Sequence, residues 1–281
     1  MKPSTLIAVM REAGVAWWRG ESLRHGAALA YYSVFSLAPI LVISVGVAGF
    51  VFGEEAAAGH VVRELRGLVG PEGGRAIQQL IEKASLDREA GLTATLSGAL
   101  VLLVGASGAF AELQSALNRI WGAQAEPSAG WRRLLRTRLA SFSMVLVIGF
   151  LLLASLVVSA GIAALEVWAG GRVRILQPLL AALHGGVSLA VVACLFASIF
   201  RVLPDVYIPW RDVWLGGALS ATLFVVGKAG IGLYLGNTSI ASAYGAAGSV
   251  VVLLVWIYYS AQILFFGAEL TRVMSRRRRG G

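Results

Sequence analysis

The chain has 281 residues and a formal net charge of +9, yet only 14% of its residues are charged and 57% are hydrophobic. A soluble domain carries roughly 25% charged residues, so this chain cannot cover a water-facing surface, and lipid must solvate much of it. These figures exclude a soluble enzyme. Nor does the positive charge point to a nucleic-acid partner, because the basic residues sit beside apolar runs, as membrane topology places them.

The first predicted element is a cytoplasmic amphipathic segment, residues 1–25. Over residues 4–18 a helix places Leu6, Met10 and Trp17 near one face, with Trp17 and Trp18 suited to the headgroup layer. Residues 26–53 carry no formal charge, and a spanning helix needs about 20 residues, which predicts a first span at 27–52. A secretory signal has an apolar core of only about 7–15 residues. Ala56-Ala57-Ala58 is therefore not expected to be a cleavage site, and the span is retained. It carries Tyr31, Tyr32 and Ser36, then Pro39, whose ring kinks a helix and frees a backbone carbonyl.

Residues 54–90 are predicted to form a small extracytoplasmic helical insert. Val61, Val62, Leu65, Leu68 and Val69, then Ile77, Leu80 and Ile81, recur at helical spacing on either side of Pro71-Glu72-Gly73-Gly74. Two short helices folded as a cap fit this pattern, as do two helices lying on the bilayer surface. Further spans are predicted at about 91–111, 139–165, 177–200, 213–235 and 250–270. The last two share a long uncharged stretch, divided by the turn-forming residues between Gly236 and Ser249. The prediction is an all-α polytopic membrane helix bundle with six transmembrane helices. Its core is residues 26–272, followed by a basic cytoplasmic tail, 273–281.

Lysine and arginine counts on alternate sides set the orientation. With six spans, sixteen basic residues fall on the side of the two termini and seven on the other, which places both termini in the cytoplasm. The Arg276–Arg279 run acts as a topology determinant and attracts anionic lipid.

Lys228 is the sharpest single feature. It lies about 22 Å along its helix from Val213 at 1.5 Å per residue, inside an otherwise apolar span. An intramembrane charge faces a partner, a wet cavity or the headgroups. Two readings stay open: a snorkelling lysine, and a cavity lysine holding an anionic group such as a lipid phosphate. Glu112 and Asn118 end the second span, while Tyr244, Tyr259, Gln262 and Glu269 belong to the last loop and span. Interhelical hydrogen bonding accounts for such residues as readily as a substrate path does. Gly49/Gly53, Gly232/Gly236 and Gly245/Ser249 are small-residue pairs that permit close helix approach.

Cys194 stands alone in an apolar run, so no intrachain disulfide can form. His25, His60 and His184 lack metal-ligand spacing. No phosphate-binding loop, paired-cysteine motif or serine-hydrolase elbow occurs. Neither a cofactor, nor a metal, nor enzymatic activity is expected.

Four stretches remain to be read together. They are Ala27-Ala28-Leu29-Ala30-Tyr31-Tyr32-Ser33 with Ser36-Leu37-Ala38-Pro39; Gly105-Ala106-Ser107 with Leu117-Asn118-Arg119-Ile120-Trp121; Phe224 and Gly227-Lys228-Ala229-Gly230 with Tyr234; and Tyr244-Gly245-Ala246-Ala247-Gly248-Ser249 with Trp256-Ile257-Tyr258-Tyr259-Ser260 and Gly267-Ala268-Glu269. In this order and spacing they resemble the YihY / virulence factor BrkB family of bacterial inner-membrane proteins, over about residues 20–272. The resemblance implies six spans with cytoplasmic ends. It also implies a link to serum resistance and to export of envelope lipid or lipopolysaccharide. An old ribonuclease BN label attached to the family finds no clustered His and Asp here for metal-assisted hydrolysis. The expected function is transport or translocation of a lipid-like or anionic substrate across the inner membrane, with Lys228, Pro39 and the insert on its path. The alternative is a non-transporting scaffold for envelope partners. Anionic membrane lipids are the expected partners, and a homo-oligomer is compatible with the sequence.

Overall fold

The structure, a computed structural model, describes residues 3–36, 91–123, 177–237 and 248–279, together with residues 59, 62–63, 66, 74–79 and 81–82. Among these residues every regular element is a helix. In chain order they are α1 (Pro3–Arg19), α2 (22–36), α3 (Gly91–Trp121), α4 (Gln177–Val202), α5 (Trp210–Asn237) and α6 (Gly248–Arg279). Among the described residues three stretches are long and apolar enough to cross a membrane: Gly185–Val202, Trp210–Ile231 and Val250–Arg279. The predicted span at 139–165 lies outside the described residues, as do 37–52 of the first span with Pro39 and the Gly49/Gly53 pair, and Tyr244 and Gly245. Of the 54–90 insert, the described residues are helical, and Ala76, Ile77 and Ile81 turn one buried face inward.

Local chemistry sets the helix ends. Pro3 opens α1, where its missing N–H costs nothing. The α1–α2 turn is built on Glu21, held at φ 58°, whose carbonyl accepts from the amides of Arg24 and His25 at 3.0 and 3.1 Å. Helix α3 stops at Gly122, which takes φ +65°. The Gly122 amide donates to the Arg119 carbonyl at 3.1 Å and the Ala123 amide to the Asn118 carbonyl at 2.9 Å. This is the paired hydrogen-bond pattern of a Schellman cap. Asp212 stands in the first turn of α5 and four arginines in the last turn of α6, each sign complementing the dipole of its helix end.

The chain divides into two compact units, one formed by 1–20, 116–225 and 264–281, the other by 21–115 and 226–263. In the first unit, α1 packs Val9 and Ala13 against Leu270, Val273 and Met274 of α6. This corrects the expected α1 face. Met10 is 38% exposed, because it lies about 100° around the helix from Val9; the small side chain of Ala13, one turn on, allows the approach to α6. Trp17 is half-buried and Trp18 is 68% exposed.

Glycines control the remaining contacts of this unit. A Cβ on Gly217 would stand 2.8 Å from the Ala193 carbonyl oxygen and 3.0 Å from Ala197 Cβ of α4. One on Gly216 would collide with Thr271 of α6, and one on Gly267 with Ser220 of α5. Lipid tails are as apolar as a protein core, so it is this close van der Waals packing that holds such helices together. Phe200 fills the space beside Gly267 and is fully buried. Phe196 meets Phe224 edge-on at 6.0 Å.

Candidate functional site

In the second unit α2 turns a mixed face inward. Ser22, His25, Gly26, Leu29, Ala30 and Ser36 are buried along it, at the helical spacing of one stripe. His25 Nδ1 lies 2.5 Å from Glu112 Oε1 of α3, with the imidazole side chain 7% and the carboxylate side chain 23% exposed. Beside this pair, Gln262 of α6 donates from Nε2 to the Ser22 carbonyl at 3.3 Å. Gly26 makes room for that glutamine in this orientation, since a Cβ there would overlap Nε2. Gln262 Oε1 is buried and receives no hydrogen bond from the described residues. Such an unfilled acceptor is costly unless something occupies it.

The same unit brings in aromatic hydroxyls. Tyr32 packs on Gly108, where a Cβ would stand 2.6 Å from its ring. Ser36 sits against Gly105 and donates to the Ser33 carbonyl at 3.0 Å. The Tyr259 hydroxyl of α6 occupies the space a side chain at Gly227 of α5 would need. Lys228, the next residue, is half-buried. Tyr31 instead faces outward at 58% exposure and stacks edge-on against Tyr32 and Phe35.

The structure thus brings Tyr32, Ser36, Glu112, Lys228, Tyr259 and Gln262 into one unit and sets Asn118 and Glu269 in the other. Asn118 there holds Asp205, donating to its carboxylate and accepting from its amide, both at 2.7 Å. Glu269 is buried and pairs with Arg272 at 2.7 Å. Gln262 and Glu269, seven residues apart on α6, therefore serve separate sets of neighbours.

Sequence reasoning missed His25, Ser22 and Gly26, because His25 was weighed only as a metal ligand. A histidine at the start of one apolar run and a glutamate at the end of the next were the available signal. It also missed Asp212, whose side chain is 2% exposed. Asp212 accepts from Ser275 Oγ at 2.9 Å and from Arg278 at 3.2 Å. No group of three or more His, Cys, Asp or Glu that could hold a metal occurs among the described residues.

Residues 15–281 match the Virulence factor BrkB family. The chain belongs to the virulence factor BrkB family. Its relatives include a UPF0761 membrane protein of Alkalilimnicola ehrlichii, 29% identical over 92% of this chain and 56% of that protein. Another, from Rhodospirillum centenum, is 30% identical over 98% of this chain and 59% of its own length. A third, from Cronobacter sakazakii, is 30% identical over 86% and 80%. The chain spans somewhat over half the length of the first two. No solved structure matches it. Family membership and the three candidate spans make it a membrane protein.

Proposed function

We propose that this BrkB-family protein is a six-span protein of the bacterial inner membrane, with both termini cytoplasmic, that translocates a lipid-like or anionic envelope substrate. The carrying observation is the polar stripe at His25, Glu112 and Gln262, set among apolar helices and holding a buried acceptor, Gln262 Oε1, that receives no hydrogen bond among the described residues. Ionisable groups within membrane helices are expensive, and where they occur they mark pathways or relays. Lys228, beside the close contact of Gly227 with Tyr259, supplies a cation in the same unit for an anionic headgroup. The sixteen-to-seven basic asymmetry supports the topology. The protein acts without enzymatic chemistry, cofactor or nucleic acid; anionic lipids are its partners, and self-association is compatible with the reading.

The test is reconstitution into liposomes carrying a fluorescent anionic lipid, with a membrane-impermeant quencher added outside. Wild-type protein exchanges the lipid between leaflets. Glu112→Gln and Lys228→Ala lose the exchange while inserting normally. Protein that moves no lipid, in cells whose envelope phenotype is lost when the 54–90 insert is deleted, would establish the scaffold instead.

A further inference from the structure

The corner between α4 and α5 joins two candidate spans, Gly185–Val202 and Trp210–Ile231, so by composition it lies at a membrane boundary. It is rigidly built. Leu203 and Ile208 are 2% and 0% exposed, and Asp205 is fixed by two hydrogen bonds with Asn118, accepting one on its carboxylate and donating the other from its amide. Pro204 and Pro209 restrict the backbone on either side. Tyr207, between these anchors, and Trp210 and Trp214, in the first turns of α5, face outward. Tyr207 is 78% exposed, Trp210 48% and Trp214 46%. Trp210 and Trp214 stack one turn apart, with centroids 6.2 Å apart.

Each of these aromatic groups has an arginine near it in sequence or in space. The Arg201 guanidinium lies 4.2 Å from the centroid of the Tyr207 ring, and it forms no ion pair with a carboxylate among the described residues. The Arg211 side chain is 73% exposed and stands 3.8 Å from Asp212, a carboxylate already taken by Ser275 and Arg278. The C-terminal run differs. Of its four arginines, Arg277 is held by Glu12 at 2.6 Å and Arg278 by Asp212, and no aromatic side chain lies within the run.

We propose that Arg201, Tyr207, Trp210, Arg211 and Trp214 form a binding site for the headgroup of an acidic phospholipid. Charge complementarity selects the occupant. Indole and phenol rings seat at the headgroup level, arginine presents a planar fork to phosphate, and basic clusters at the end of a span recruit anionic lipid. The fixed backbone of the corner keeps the positions that carry both arginines in place before the lipid arrives, which lowers the ordering cost of binding.

The experiment uses the full chain in phosphatidylcholine bilayers containing a minor fraction of lipid brominated on its acyl chains, either phosphatidylglycerol or phosphatidylcholine. Bromine quenches tryptophan fluorescence on contact. The signal of Trp210 and Trp214 is obtained by difference from the Trp210→Phe/Trp214→Phe variant. Brominated phosphatidylglycerol should be enriched roughly tenfold or more over phosphatidylcholine, as two arginines at an anionic surface predict. Arg201→Gln/Arg211→Gln should abolish the enrichment, and the double lysine variant should keep part of it. If the glutamine variant does not elute as a single species, Tyr207→Ala replaces it and should weaken the preference. Equal quenching by the two lipids overturns the proposal. So does enrichment that survives the arginine replacement, that vanishes instead with Arg276→Gln/Arg279→Gln, or that millimolar inorganic phosphate removes.

Discussion

Replacing Gly217 by alanine tests the packing of α4 on α5. The added Cβ would meet the Ala193 carbonyl oxygen at 2.8 Å and the Ala197 backbone nitrogen at 3.0 Å. Both are backbone atoms of a helix, so neither can swing aside as a side-chain tip would. Relief requires α4 to move, and overpacking of this kind costs about 1–3 kcal/mol. The same exchange also gains about 1 kcal/mol of helix propensity, which would blur a single measurement. Gly230, on the same helix, provides the correction: a Cβ there meets nothing within 4 Å. Gly230→Ala takes the propensity gain without the clash, so the difference between the variants isolates the clash at about 1–3 kcal/mol. For chains of roughly this size 1 kcal/mol moves Tm by about 2–4 °C. Thermal denaturation in detergent, followed by the loss of the monodisperse size-exclusion peak, should place Gly217→Ala several degrees below Gly230→Ala. Equal midpoints would refute the close approach of α4 and α5.

Further outcomes follow from the same structure. Asp212→Ala should destabilise the protein by about 1.5–3 kcal/mol, since a charged acceptor of hydrogen bonds is removed. Glu12→Gln should change stability by no more than about 1 kcal/mol, because that pair is roughly half exposed; denaturation midpoints of the two variants compare them directly. Gly122→Ala should cost about 1–2 kcal/mol in the same assay, the strain of a left-handed backbone carrying a Cβ, while Glu21→Gly at φ 58° should be neutral or stabilising. Ala13→Asp should release α1 from Leu270 and Val273, read as faster proteolysis at Arg11 and Arg19 with the remaining chain intact.

Much of the helical framework was legible because a membrane simplifies the code. Long uncharged runs end where charges begin, and the predicted starts at 91, 177, 213 and 250 fall within a few residues of the ends of α3, α4, α5 and α6. The far ends of α4 and α5 fall within two residues of prediction, whereas those of α3 and α6 were less legible. Helix α6 continues to Arg279, well past the predicted end at 270, because Val273, Met274 and Ser275 are buried and Arg277 and Arg278 find acidic partners. Hydropathy falls there while packing persists, and a rule based on lipid contact cannot register packing against protein.

The site was harder to read for a related reason. Composition identifies costly residues, and it singled out Lys228, Glu112, Gln262 and Glu269. It does not say which of them meet. Glycine decides that here: Gly26 admits the Gln262 amide, Gly108 admits Tyr32, and Gly227 admits the Tyr259 hydroxyl. None of these belongs to the small-residue pairs that spacing alone selected. A GxxxG search looks for glycines that bring two backbones together, whereas these three make room for polar or aromatic side chains from the neighbouring helix. In a chain with 34 glycines, the ones informative about the site are therefore those facing a large polar or aromatic residue. That relation exists only across helices, which is why periodicity along a single helix could not disclose it.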